Sequence, residues 1–149
     1  MGMTRIMRQK ANIPLSNAQP SVLHITQGSF GIVRTVELRD NTLYYSATCN
    51  SEPVAIDRLN PKRWRSFRQV LEYLEADQWQ PTYINPNVID GQQWVVKIAY
   101  PDGRLIESRG SNAYPGLLDT DHTIYGSESL VWRLFTCALA WLTDGYWSR

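Results

Sequence analysis

Cysteine and histidine are scarce in this chain: each occurs twice in 149 residues, as Cys49 and Cys137 and as His24 and His122. Two thiols far apart in sequence do not make the dense disulfide framework of a small secreted domain, and the two residue types together match no zinc-ligand spacing. A charge excess of one sign is missing too. Fifteen Lys and Arg oppose 14 Asp and Glu, a formal net charge of +1, so no whole-protein field draws the molecule toward nucleic acid or an anionic membrane. Long apolar runs are absent: the longest, Ser129 to Leu142, contains Arg133 and falls short of the roughly 18 to 20 residues needed to cross a bilayer. The basic N-terminus has no apolar core behind it and does not read as a secretory signal. These absences point to a cytoplasmic protein.

Catalytic signatures are missing as well. There is no G-x-S-x-G turn, and Gly28, Gly31, Gly110, Gly116 and Gly126 lie too far apart for either glycine-rich phosphate fingerprint. No catalytic residue and no cofactor are expected. The densest titratable group is Asp119, Asp121 and His122, a weak candidate for a divalent cation or an acid and base pair. Its plainer reading is a solvated loop before a helix, with acids drawn to the positive helix start. Glu107, Glu128 and Asp90 are carboxylates that the fold alone can bring to it.

What is present organises into one globular domain, since this length suits a single core. Residues 1–20 carry Arg5, Arg8, Lys10, Pro14 and Pro20 without a sustained period, which predicts a flexible arm before a domain over 21–149. From Phe30 the chain alternates: Phe30, Ile32, Val36 and Leu38 interleave with Gly31, Thr35 and Glu37. After the turn signal Asp40-Asn41 comes TLYYSATC, and together they predict a β-hairpin. Asn60 then suits a helix N-cap and Pro61 a first helical position, while Trp64, Phe67, Val70, Leu71 and Leu74 form one apolar stripe. A second hairpin follows. Trp94, Val96, Ile98 and Tyr100 share one face of its first strand, Pro101-Asp102-Gly103 turns the chain, and Arg104 to Arg109 returns. Ser127 or Ser129 can cap a last helix to about Leu142. That helix is apolar nearly all round, which predicts that it is mostly buried, with Cys137 a core thiol. The order ββαββα implies an α+β two-layer sandwich, an antiparallel sheet with two helices packed on one face.

Between Trp79 and Pro115 the spacing of Trp79, Tyr83, Asp90-Gly91, Trp94, Asp102-Gly103 and Gly110-Ser111-Asn112-Ala113-Tyr114-Pro115 resembles a pattern in small, uncharacterised bacterial proteins. Their shared unit is a strand, turn and strand ending in G-x-N-x-Y-P. The resemblance implies a bacterial or phage origin and carries no activity. On physical grounds the terminal element is a rigid corner: Gly110 permits a close approach, Asn112 tolerates positive φ, Pro115 fixes the exit, and Tyr114 packs against Trp94. Alternatively, Asn112 and Tyr114 form a recognition corner.

Arg58, Lys62, Arg63, Arg65 and Arg68 crowd the start of the first helix, where the macrodipole favours acids. Arg58, Lys62 and Arg65 fall at i, i+4 and i+7, a shared face suited to phosphate or an acidic partner, and Arg68 can pair with Glu72. Six Trp and eight Tyr exceed what a small core needs, and Trp79, Tyr83, Tyr125, Tyr146 and Trp147 are expected at the surface as anchors. The leading expectation is a non-enzymatic protein-binding domain of the immunity, antitoxin or phage counter-defence type, which occludes a partner protein. Its candidate binding residues are Trp79, Tyr83, Asn112, Tyr114, Tyr125, Arg63 and Arg65. The alternatives are a small-molecule or nucleotide site near Gly110 to Gly126, holding Asn112, Tyr114, Asp119, Asp121 and His122 together, and nucleic-acid binding through Trp64, Arg63 and Arg65. No membrane partner is expected, nucleic acid is disfavoured, and the last helix suits a homodimer.

Overall fold

A computed structural model describes residues 19–48, 51–88, 91–116, 123–125 and 128–148. Its core is a seven-stranded sheet in the order β4-β3-β2-β1-β6-β7-β5. The strands are β1 (Val22–Ser29), β2 (Ile32–Arg39), β3 (Thr42–Ser46), β4 (Val54–Arg58), β5 (Thr82–Ile84), β6 (Gln93–Ala99) and β7 (Leu105–Ser111). Helices α1 (Pro61–Tyr73) and α2 (Leu130–Leu142) cover one face, and a two-stranded ribbon of β8 (Ala113–Pro115) and β9 (Thr123–Tyr125) stands beside it. This is the expected α+β two-layer sandwich, with more strands than ββαββα allowed.

The first departure is β1. It pairs with β2 on one side and with β6 on the other, so it joins both expected hairpins into one sheet. The first hairpin is therefore β1–β2, turning at Phe30 (φ 49°) and Gly31 (φ 82°), and Phe30 is a turn residue with 81% of its surface exposed. The expected Asp40-Asn41 turn joins β2 to β3, with both residues left-handed as a tight hairpin of that hand requires. The second departure is β5, which pairs with β7 in parallel and makes the sheet mixed rather than purely antiparallel. The third is the edge strand β4, whose residues are mostly exposed and carry no apolar alternation.

Asn60 caps α1: its side chain accepts from the backbone N–H of Lys62 at 2.8 Å and of Arg63 at 3.3 Å, and Pro61 occupies the first turn. Trp64, Phe67, Leu71 and Leu74 are buried. Full burial of such side chains contributes about 1.5 to 3 kcal/mol each. Ser129 caps α2 by accepting from Trp132 N–H at 3.1 Å. At the β6–β7 turn, Gly103 takes φ 91°, and Asp102 Oδ1 accepts from Arg104 N–H at 3.0 Å. That bond holds the Asp102 carboxyl below its usual range.

Leu23 and Ile25 of β1, Val36 of β2, Leu43 and Tyr45 of β3, and Trp94, Val96 and Ile98 of β6 point into the helical layer and are buried. The opposite face carries an exposed Lys97–Glu107 pair at 3.6 Å. Between sheet and helices runs an aromatic seam: Trp94 meets Trp132 with ring centres 4.5 Å apart, and Phe67 meets Phe135 at 5.7 Å.

Candidate functional site

Most of the expected surface aromatics are core. Trp79 is 6% exposed and Tyr83 1%. Trp79 donates its indole N–H to Leu74 O at 3.3 Å, and the Tyr83 hydroxyl accepts from Gln80 N–H at 2.8 Å. Their sequence neighbourhood looks like loop because the 3-10 turn Ala76–Gln78 and the short β5 lack periodicity, yet both rings fill the end of the seam against Trp94. Trp147 is buried as well, and Tyr146 packs on Tyr45. Tyr125 alone of the five is exposed, on β9.

The G-x-N-x-Y-P corner folds as its physics dictated. Asn112 has φ 50° and accepts from Gln92 N–H through Oδ1 at 3.0 Å. Tyr114 stacks on Trp94 with ring planes 13° apart. A Cβ on Gly110 would overlap the Trp94 indole and the Ala113 carbonyl, so only glycine fits beneath that ring. Asn112 is therefore occupied in the corner rather than presented to a ligand.

The basic helix start is redistributed. Arg58 belongs to β4, because the chain turns at Leu59-Asn60 before α1, so it does not share a helix face with Lys62 and Arg65. Arg63 binds across the helical layer to Trp141 O at 3.4 Å and to Asp144 Oδ1 at 3.3 Å, and its guanidinium lies 5.5 Å over the Trp141 ring. Arg68 pairs with Glu72 at 3.8 Å as expected. Lys62, Arg65 and Arg133 have no ion pair or hydrogen bond through their side chains.

Two surface features remain, and sequence reasoning missed the shape of both. The first is the outer face of α2. Its inner face buries Val131, Trp132, Phe135, Leu139 and Leu142, but Leu130 (54%), Leu134 (37%) and Trp141 (53%) remain outside, with Cys137 in the same row. The expectations of a mostly buried helix and a core thiol are thus corrected: one sheet and one neighbouring helix cannot cover a cylinder on every side. The spacing i, i+4, i+7 and i+11 aligns these four side chains in one stripe.

The second is a cleft of about 650 Å³ between the turn end of β1–β2 and α2, lined among others by Gln27, Arg34, Gln92, Tyr114, Glu128 and Trp147. Gln27 and Arg34 stand directly opposite each other on neighbouring strands and face the helical layer, where apolar residues would be expected. Gln27 Nε2 donates to Glu128 Oε2 at 3.0 Å. Burial pushes the Tyr114 phenol up to about 12, with Glu128's negative charge adding to the effect, so it remains a neutral donor at physiological pH. The available signal was Arg34 itself, which interrupts the apolar row of Ile32, Val36 and Leu38.

Protein-family models, curated proteins and solved structures offer no match to the chain.

The weak cation candidates Asp119, Asp121 and His122 lie outside the described residues, as does Asp90. Of the other carboxylates, Glu107 is on the open sheet face with Lys97 and Glu128 is in the cleft, so the fold separates them. Among the described residues, no three His, Cys, Asp or Glu side chains cluster as metal ligands. No described helix is long and apolar enough to cross a membrane.

Proposed function

We propose that this protein is a non-enzymatic protein-binding domain that occludes an acidic partner, in the manner of immunity or antitoxin-type inhibitors. The observation that carries this reading is the stripe of Leu130, Leu134 and Trp141, three large apolar side chains left partly exposed on a helix whose opposite face is buried in the core. Such side chains need a partner, and tryptophan with arginine is the pairing that dominates binding hot spots. Trp141 is braced by Arg63, so little rotamer freedom is lost when a partner closes over it.

Charge decides between occupants. The same helical layer exposes Lys62, Arg65 and Arg133, whereas Arg63 and Arg68 are matched by Asp144 and Glu72. A second copy docked by a two-fold axis would set this same cation-rich face against itself. A partner with acidic groups around an apolar ridge gains from both terms, and attraction between the surfaces speeds encounter.

The test is co-expression with the product of the adjacent gene, followed by affinity capture and sedimentation. Retention of that product by the wild-type chain, and its loss with Leu134→Asp, supports the reading. Undiminished capture by Leu134→Asp overturns it, and so does a stable homodimer that the same substitution dissolves.

A further inference from the structure

The cleft beside α2 carries a second inference, which uses none of the stripe's three large apolar side chains although Cys137 borders both. Arg34 is half-buried on the inner face of β2, yet its guanidinium makes no ion pair, hydrogen bond or ring contact. A guanidinium drawn back from water without a counter-ion is an incomplete arrangement, because its planar donors match a carboxylate in bidentate fashion. Glu128 stands in the same cleft, fixed through Gln27, which is Arg34's cross-strand neighbour. One cation and one anion thus flank a single glutamine without meeting. Tyr114, 2% exposed, also lines the cleft and makes no hydrogen bond through its hydroxyl. Ile32, Ala140 and Trp147 supply apolar wall.

We propose that this cleft binds a small zwitterion, an α-amino acid or a short peptide, with the ligand's carboxylate on Arg34 and its ammonium group on Glu128. The lining charges cancel, which selects against polyanions: a nucleotide's phosphates would gain one guanidinium and face the Glu128 carboxylate. They equally select against a plain amine or a plain acid, each of which leaves one half-buried charge without its complement. The Tyr114 hydroxyl and the Gln92 amide, both lining the space, supply neutral hydrogen bonds. The volume exceeds that of a single small amino acid and admits a dipeptide.

The test is a titration of the full chain with the standard amino acids and with dialanine, read by tryptophan fluorescence and calorimetry. Isoamylamine, isocaproic acid and AMP are the single-charge and polyanion controls for leucine. Saturable binding of at least one amino acid or of dialanine is expected, and which of the two binds tighter identifies the source of the zwitterion. Arg34→Gln and Glu128→Gln should each weaken binding by roughly tenfold to a hundredfold with an unchanged melting midpoint. If one variant fails to fold, the other and the control compounds decide the matter. No saturable response up to roughly 10 mM, equal affinity of both variants and wild type, or AMP or isocaproic acid matching leucine overturns the proposal.

Discussion

Trp94 donates its indole N–H to the carbonyl oxygen of Ala113 at 2.9 Å, directly across Gly110. This contact ties β6 to the β8–β9 ribbon alongside the Tyr114 stack, and it fits because Gly110 between the two partners has no side chain. Around it Trp94 also touches Trp79, Tyr83, Tyr114 and Trp132, so the indole is the hub of the aromatic seam.

Gly110→Ala is accordingly expected to cost about 2 to 4 kcal/mol, because the new methyl group meets a packed indole and a backbone carbonyl rather than a flexible chain end. Urea unfolding followed by tryptophan fluorescence measures this. A change below about 0.5 kcal/mol would mean that the corner is looser than described.

Asn112 separates two effects. Its positive φ and its bond to Gln92 N–H are both lost in Asn112→Ala, expected at about 1.5 to 2.5 kcal/mol, whereas Asn112→Gly keeps the backbone conformation and should cost about 1 kcal/mol. Equal losses from the two substitutions, measured by denaturant titration, would remove the conformational part of the argument.

On the outer face of α2 stability and recognition should come apart. Leu134→Asp and Trp141→Ala are expected to lower unfolding free energy by only about 1 to 2 kcal/mol, since Trp141 is about half exposed and Leu134 is more than a third exposed. Partner affinity should fall about thirtyfold or more. Calorimetry against the captured partner, paired with thermal melts, reads both.

Two tyrosines set an alkaline limit. Burial, the larger cause in each, raises Tyr100 and Tyr114 from the ordinary 10.0 to about 12. The folded state therefore keeps both phenols protonated at a pH where the unfolded chain has ionised them. Their contribution is fully present below pH 10 and is lost as pH rises toward about 12. Phenolate absorbance of the folded protein should show Tyr100 and Tyr114 titrating late, and Tyr114→Phe should remove one late-titrating phenol. A single early step for all of them would contradict the burial.

The α1 stripe, the capping residues and the β6–β7 alternation were readable in advance because each is a local pattern: the period of the helix or strand and the chemistry of the turn lie within a dozen neighbouring residues. β1 was not, because its inward row of Leu23, Ile25 and Gln27 turns polar at the cleft, and Phe30 beyond it looks like the start of a strand. β4 carries no alternation to detect, and β5 has three residues whose place is set by Tyr83 reaching the seam. Trp79 and Tyr83 were misplaced for the same reason, since burial of a residue in an irregular segment depends on distant partners. The cleft was announced only by Arg34 in an apolar row, and Glu128 reaches it from far along the chain through a tertiary bond.

The position of β1 has a consequence for synthesis. It is the first described strand, yet Val22 pairs with Ala99 and Gly28 with Gln93. The meander from β1 to β4 therefore emerges from the ribosome with one full strand edge unpaired, and that edge waits until β6 has been translated. Such an edge invites pairing with another nascent chain. Translation stalled between β4 and β6 would leave a sticky half-sheet, while any release beyond β7 closes it with the hairpin the molecule itself supplies.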